Sequence, residues 1–346
     1  MFKRIFLGTT ITLLLISTVT LAFYFQPVKT NSSTITVPDN YPTIQEAISH
    51  ANEGDTIFVR NGTYYENVVV DKNGLMLVGE SRDTTLIDGN TTGYCVRIES
   101  DSVVFRDFTV RNGHFVGIRV HENVSDVLIK DNIVLDSDWG IYLGLCSNVT
   151  VEDNLVKRCS DGLFLESSSY NLLVRNTIVE NHNGITLKPA LYIPEFPPPP
   201  SSNFNAIYHN NFIDNDFQAF DYGLGNTWDD GYPSGGNYWS DHNPPDLYSG
   251  PFQNQTGSDG IGDLPYIIDE NNRDGYPLIY PYGYVPNPDI NNDGIIDILD
   301  LVTIALAYGS VPGLPIWKPY ADIVQDEIID IFDLVTVTIH YGETYS

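Results

Sequence analysis

"WGIYLGL" (139–145), "DGLFLES" (161–167) and "NGITLKP" (183–189) decide the fold, because each lies over the next after a shift of 22 residues. Two earlier pieces, "YCVRIES" (94–100) and "VGIRVHE" (116–122), join the same alignment. Cys95, Gly117, Gly140, Gly162 and Gly184 share one slot, read here as a glycine turn. The next position is an apolar file of Val96, Ile118, Ile141, Leu163 and Ile185, and two places on runs another, Ile98, Val120, Leu143, Leu165 and Leu187. Apolar residues recurring every second position specify strands and exclude a helical repeat. A second motif, "VLIKDNIV", "VTVEDNLV" and "LLVRNTIV", repeats Asn132, Asn154 and Asn176 at the same period. Asparagine tolerates left-handed backbone and can hydrogen-bond along a stack. Short strands, two turns and a period near 22 describe one coil of a parallel β-helix.

The register also locates an insertion. The next matching turn is placed at Asn211, 35 residues after Asn176, so 13 extra residues fall around "PALYIPEFPPPPSS". A segment so rich in proline cannot add a strand and is expected to overhang the flank. At the front, Thr43 is an N-cap with Glu46 three residues later, and Ile44, Ala47 and Ile48 line one helical face. That N-terminal cap helix is expected to plug the open end of the solenoid.

Lys plus Arg number 17 against 45 Asp plus Glu, a formal charge of −28. Such a chain is repelled by phosphate backbones, which argues against nucleic acid as a partner. Lys3 and Arg4 precede an uncharged apolar run over 5–25, long enough to span a bilayer. Export follows, as a signal peptide or as an uncleaved membrane anchor at 1–25, the anchor being favoured. Cys95, Cys146 and Cys159 are odd in number and lack a CxxC, so they are expected to fill core or turn positions.

Near the C-terminus, "DINNDGIIDILD" sets Asp289, Asn291, Asp293, Asp297 and Asp300 at positions 1, 3, 5, 9 and 12, with Gly294 at the sharp bend. With the Ile295 carbonyl at position 7, these oxygens suit calcium. A second copy, offset by 33, keeps Asp322, Asp326, Asp330 and Asp333 but has Val324 at position 3 and Glu327 in the glycine slot. The first loop is therefore expected to be the tighter site.

Three resemblances follow from these residues. "VPDNYPTIQEAI" with "EGDTIFVRNGTYYENVVVDKNGLMLVGE" resembles the entry of pectin-lyase-like right-handed β-helices. "GNTWDDGYPSGGNYWSDHNPPDLYSGP" and "GSDGIGDLPYIIDENNRDGYPL" resemble the end of NosD-like proteins. The last 58 residues resemble a dockerin, which implies a calcium-folded module of two short helices that docks onto a cohesin-like partner. Its partner-facing positions are usually polar, and here they are Ile298, Leu299, Ile331 and Phe332. The expected architecture is mainly β: a solenoid over 35–223, a tail over 224–284, a linker at 285–288 and the dockerin-like domain over 289–346.

Chemistry on a solenoid is sought between coils, since neighbouring coils stack about 4.8 Å apart. Asp136, Arg158 and Glu180 form one column, which reads as the base or clamp of a uronate lyase or as an ion-pair ladder, the latter being favoured. Asp138, Ser160 and His182 form another. Serine hydrolysis needs His between Ser and Asp, and this stack has Ser in the middle, so it reads as turn polarity. The outward file Arg97, Arg119, Tyr142, Phe164 and Thr186 is read as a groove for a polysaccharide, against the alternative that aromatics stack on sheets for stability. Asp259, Asp263 and Asp269 in the tail suit calcium or tight turns equally. A NosD resemblance implies copper, yet the seven His never share a column and Met76 is the only Met after the first residue. The function expected is a non-catalytic, cell-surface glycan-binding or scaffold protein. The alternatives are a polysaccharide-degrading enzyme and a copper-site maturation factor.

Overall fold

The structure is a computed structural model that describes residues 32–190, 200–257, 259–283, 287–291, 293–311, 314–323 and 328–344. The apolar run at 5–25 lies outside them, as do Val324, Asp326 and Glu327. No helix among the described residues is long and apolar enough to cross a membrane.

The chain winds as a right-handed-type parallel β-solenoid of about seven turns. Its first sheet has eight strands, from Thr34–Val37 to Ala206–Tyr208. The second has seven, from Val68–Val70 to Phe217–Asp221, and the third eight, from Gly62–Tyr64 to Tyr238–Trp239. Register follows the repeat: Val96 pairs with Ile118, Ile118 with Ile141, Ile141 with Leu163 and Leu163 with Ile185. All five are buried in one core.

The recurring glycine is not a turn residue. Gly117, Gly140 and Gly162 lie inside strands, where a Cβ on Gly140 would sit 2.5 Å from the Gly162 carbonyl oxygen and 2.5 Å from Val156 Cγ1. Close approach of stacked backbones, rather than positive φ, requires glycine there. The left-handed conformation falls instead on the residue before four of the ladder asparagines: Asp131, Asp153, Arg175 and His209 have φ between 53° and 57°.

The asparagines themselves are buried and linked coil to coil. Asn132 N–H donates to Asn154 Oδ1 (3.0 Å), Asn154 to Asn176 (3.1 Å), Asn176 to Asn210 (3.0 Å) and Asn210 to Asn237 (3.0 Å). Each side-chain amide donates in turn to a carbonyl of the preceding coil, as Asn154 does to Ile129 (2.9 Å). Buried turn amides are thereby satisfied without water. The ladder ends on a carboxylate, with Asn237 N–H and Trp239 Nε1 both donating to Asp274 Oδ2 (2.7 and 2.9 Å).

This ladder corrects the insertion. Asn176 is followed by Asn210, 34 residues on, so 12 residues are extra and Asn211 pairs with Thr177. The proline-rich stretch 191–199 lies outside the described residues, but its flanks are tied together: Ser167 Oγ donates to the Pro200 carbonyl (2.6 Å) and accepts from Ala190 N–H (2.8 Å). Strand pairing also runs on to Trp239, past the boundary placed at 223.

Residues Ile44–His50 form a helix whose first turn is capped by Thr43 Oγ1 accepting from Glu46 N–H (3.1 Å). Its buried face, Ile44, Ala47 and Ile48, packs on the strands Thr34–Val37, Thr56–Val59 and Val68–Val70. At the other end, Phe212, Trp239 and Tyr266 stack with ring centroids 4.5 and 4.0 Å apart. Asp259 and Asp269 accept the backbone N–H two residues on, the geometry of tight turns, while Asp263 reaches across the tail to accept from Leu247 and Tyr248 N–H. The cysteines are all unpaired and buried.

The C-terminal residues have a separate core of Ile290, Ile296, Ile304, Ala307, Ala321, Ile323, Ile329 and Val337. It joins the helices Ile298–Ala307 and Ile331–Ile339.

Candidate functional site

The outer face of the second sheet carries the file expected to form a groove, and the register stacks it as read: Arg97 on Arg119, Arg119 on Tyr142, Tyr142 on Phe164 and Phe164 on Thr186. The two aromatics, however, are covered. Tyr142 is 8% exposed and Phe164 4%. Trp139 lies over both, at 5.4 and 5.2 Å between ring centroids, and Lys188 Nζ sits 4.6 Å from the Phe164 ring. Tyr142 and Phe164 are thus the floor of the face, and the partly exposed Trp139 is its surface ring. Sequence reasoning missed Trp139 because its immediate neighbours in the column, Val116 and Asp161, are not aromatic, and Tyr94 and Phe217 stand two and three coils away.

The cations are held in place. Arg119 lies between the Tyr94 and Tyr142 rings (5.1 and 5.0 Å) and donates from Nη1 to the Tyr94 hydroxyl (3.0 Å). Arg97 pairs with Glu99 (2.9 Å). The Nε atoms of both arginines are buried without a hydrogen-bond partner. The Tyr142 hydroxyl donates to Glu166 Oε2, and burial, with the Glu166 carboxylate second, pushes the phenol's pKa up. Tyr142 is therefore no general base. Thr186 Oγ1 (2.6 Å) and Asn183 Nδ2 (2.9 Å) both donate to Asp161.

One turn edge borders this face. Asp136, Arg158 and Glu180 stand there with φ of 58°, 54° and 56°. Arg158 is bidentate to Asp136, Nε to Oδ1 at 2.9 Å and Nη2 to Oδ2 at 3.0 Å. Glu180 acts on it only through its charge. This is an ion pair with a charged neighbour rather than a clamp closed from both sides. Beside it, an open depression of about 410 Å³ is lined by His114, Asp136, Asp138, Arg158, Ser160 and His182, among others. Two of the seven histidines therefore share a depression although they share no column. His182 Nδ1 is hydrogen-bonded to Asp216 Oδ2 (2.8 Å), a residue the sequence reading had not placed in the stack. Cys159 lines the same depression, but burial pushes its thiol up to about 12, which removes it as a nucleophile.

The C-terminal loops share one geometry. Asp300 accepts from Ile290 N–H (2.8 Å), Asn291 N–H (3.1 Å) and Asp297 N–H (2.9 Å). Asp333 accepts from Ile323 N–H (2.7 Å) and Asp330 N–H (2.8 Å). Each loop also pairs with the end of the other helix: Ile296 N–H donates to Glu343 and Ile329 N–H to Ser310 (both 3.0 Å). Asp289 accepts from Asp293 N–H and Gly294 N–H, with Gly294 at φ +87°, the bend anticipated for it. Asp322 is buried, Asp297 and Asp330 cap the helices, and Ile295 contributes a carbonyl on the loop. The donor set is all oxygen, which fits a hard cation. Among the described residues no three His, Cys, Asp or Glu side chains come close enough together to hold an ion.

The family model described as "Periplasmic copper-binding protein (NosD)" matches residues 30–244. Pectinesterase 2 of Citrus sinensis is 31% identical over 86 residues, covering 21% of this chain and 17% of the relative, so the chain spans under a fifth of that protein. A pectin methylesterase from Yersinia enterocolitica is similar in structure (TM-score 0.40, 16% identity), covering 50% of this chain and 66% of its own. An alginate lyase from Paenibacillus sp. is similar with a TM-score of 0.37 at 12% identity, covering 59% and 97%.

Proposed function

Because the chain belongs to the NosD family, we propose that it is an exported β-helix protein that holds a polysaccharide along the outer face of its second sheet. The observation that supports this most is the Trp139 shelf: a partly exposed ring on a packed aromatic floor, with Arg119 held between two tyrosine rings and Lys188 over the Phe164 ring. Sugars stack on such rings, and prepositioned cations suit uronate carboxylates at low entropic cost. The periplasmic description of the family and the apolar run at 5–25 support export, with that run as a membrane anchor. The strong negative charge keeps nucleic acid out of this reading.

Attachment would fall to the C-terminal module, a dockerin-like pair of loops with calcium bound first at Asp289, Asn291, Asp293, Ile295, Asp297 and Asp300. Calcium there would neutralise the buried Asp289 and Asp300 and draw in the exposed Asp293. A cohesin-like domain is its proposed partner, and the exposed Ile298, Leu299, Ile331 and Phe332 make the contact surface more apolar than usual. Copper, named in the family's description, suits clustered imidazole or sulfur, and the described histidines give it less support than the loops give calcium.

Affinity electrophoresis through uronic-acid and neutral polysaccharides tests the glycan reading. Trp139→Ala should lower retention several-fold on a polymer that the wild type binds. Equal retention of wild type and variant would return the shelf to a purely structural role.

A further inference from the structure

We propose that Ser160, His182 and Asp216 form a nucleophile, base and carboxylate in series, and that they hydrolyse an ester. The three occupy one slot on three successive coils, since Asn183 N–H donates to the Ser160 carbonyl (2.8 Å) and Phe217 N–H to that of His182 (2.9 Å). Acyl transfer needs the imidazole between hydroxyl and carboxylate. Taken with Asp138 below it, Ser160 is in the wrong place. Taken with Asp216 above His182, the order is right. The 12-residue insertion hides this, because it puts Asp216 34 residues after His182 rather than 22.

The hydrogen bond from His182 Nδ1 to Asp216 Oδ2 (2.8 Å) fixes the tautomer with the proton on Nδ1. Nε2 is then left as the acceptor, and the coil that carries Ser160 lies about 4.8 Å below that of His182. The Phe217 ring meets the imidazole edge-on at 5.5 Å and restrains it. Ser160 Oγ makes no hydrogen bond among the described residues, to His182 or to any other, so the bond to Nε2 is one that substrate binding has to complete. Arg158 lines the same depression and binds Asp136 through Nε and Nη2, which leaves Nη1 for a developing oxyanion.

The step balances without a metal or redox partner. Ser160 Oγ forms a bond to the ester carbonyl carbon while its proton passes to His182 Nε2. The tetrahedral intermediate collapses, the C–O bond to the alcohol breaks, and that proton goes to the leaving oxygen. Water then adds to the acyl-serine with His182 as base, releasing the carboxylic acid and restoring the hydroxyl. The column directly precedes Trp139, Asp161 and Asn183 on the sheet face. Choosing an acylated sugar as substrate rests on the glycan reading above; ester hydrolysis itself does not.

The full chain should be treated with a fluorophosphonate probe and, separately, assayed on p-nitrophenyl acetate and on an acetylated polysaccharide. Expected are labelling at Ser160 by peptide mapping and p-nitrophenyl acetate turnover that falls about 100-fold or more in Ser160→Ala and His182→Ala, and less in Asp216→Asn. All three side chains are exposed, so the variants should melt with the wild type. Should one not, labelling of the wild type decides alone. No label on Ser160, or a Ser160→Ala protein as active as the wild type, overturns the proposal. Turnover of the small ester without release from the polymer would uphold the triad and remove the sugar.

Discussion

The solenoid turns and the C-terminal loops meet the same demand, a tight bend whose backbone N–H groups are buried, with different chemistry. In the solenoid the acceptor is a neutral amide from the next coil, as Asn154 is for Asn132. In the loops it is a fully buried carboxylate, Asp300 or Asp333. An amide both accepts and donates, so it extends a chain of bonds indefinitely and carries no charge. A carboxylate accepts only, and buried it must be compensated by backbone dipoles, helix N-termini or a cation. One region should therefore ignore the ionic environment, and the other should depend on it.

The largest test of that contrast is calcium removal. Calorimetry of the full chain with and without EDTA should show the C-terminal transition lost and the solenoid transition unmoved, since a module this small has little core of its own. Asp293→Ala should likewise abolish any calcium-induced gain in helix signal. Two transitions unchanged by EDTA would break the comparison. Next in size, Leu163→Ala should cost the solenoid about 2–5 kcal/mol as a buried cavity, read as a shift of its transition alone. Asn154→Ala should cost about 1–3 kcal/mol by leaving the Asn132 N–H without its acceptor, with no dependence on calcium or salt.

The smallest effect is on slope rather than height. Burial raises the Asp274 carboxyl to about 7, against the three hydrogen bonds that favour its charge. Its folded pKa exceeds the unfolded value, so its contribution is full below pH ~4 and is lost as pH rises through about 7. Asp274→Asn should flatten solenoid stability across that window in urea titrations at stepped pH. It should also lose the bond from Tyr276 N–H, because an amide nitrogen cannot accept.

How much of this the sequence showed depends on whether the signal repeats. The inner files from Val96 to Ile185 recur every coil and were legible to the residue. So were the helix capped by Thr43 and the bend at Gly294, where local chemistry suffices. The glycine slot was legible as a pattern and misread in cause, because steric closeness between coils leaves the same mark as a turn. Trp139 and Asp216 were missed for opposite reasons. Trp139 breaks no rule and has no aromatic in the coil on either side of it, while Asp216 belongs to a column whose spacing the insertion had altered. Asp274 gave no warning at all, since nothing in "NNRDGYPL" says that its carboxylate ends a ladder begun at Asn132.

That ladder has a consequence for length. Each internal asparagine presents the same two faces, an Oδ1 acceptor to the coil before and N–H donors to the coil after, so any rung is interchangeable with its neighbours. A whole coil of 22 residues can be removed or duplicated between Asn132 and Asn176 without changing what any remaining rung must bind. The last rung has no such freedom, because Asn237 hands its N–H to an acceptor that cannot pass the chain onward. The protein is thus extensible in its middle and terminated at one address, a polymer of coils with a chemically distinct chain stopper.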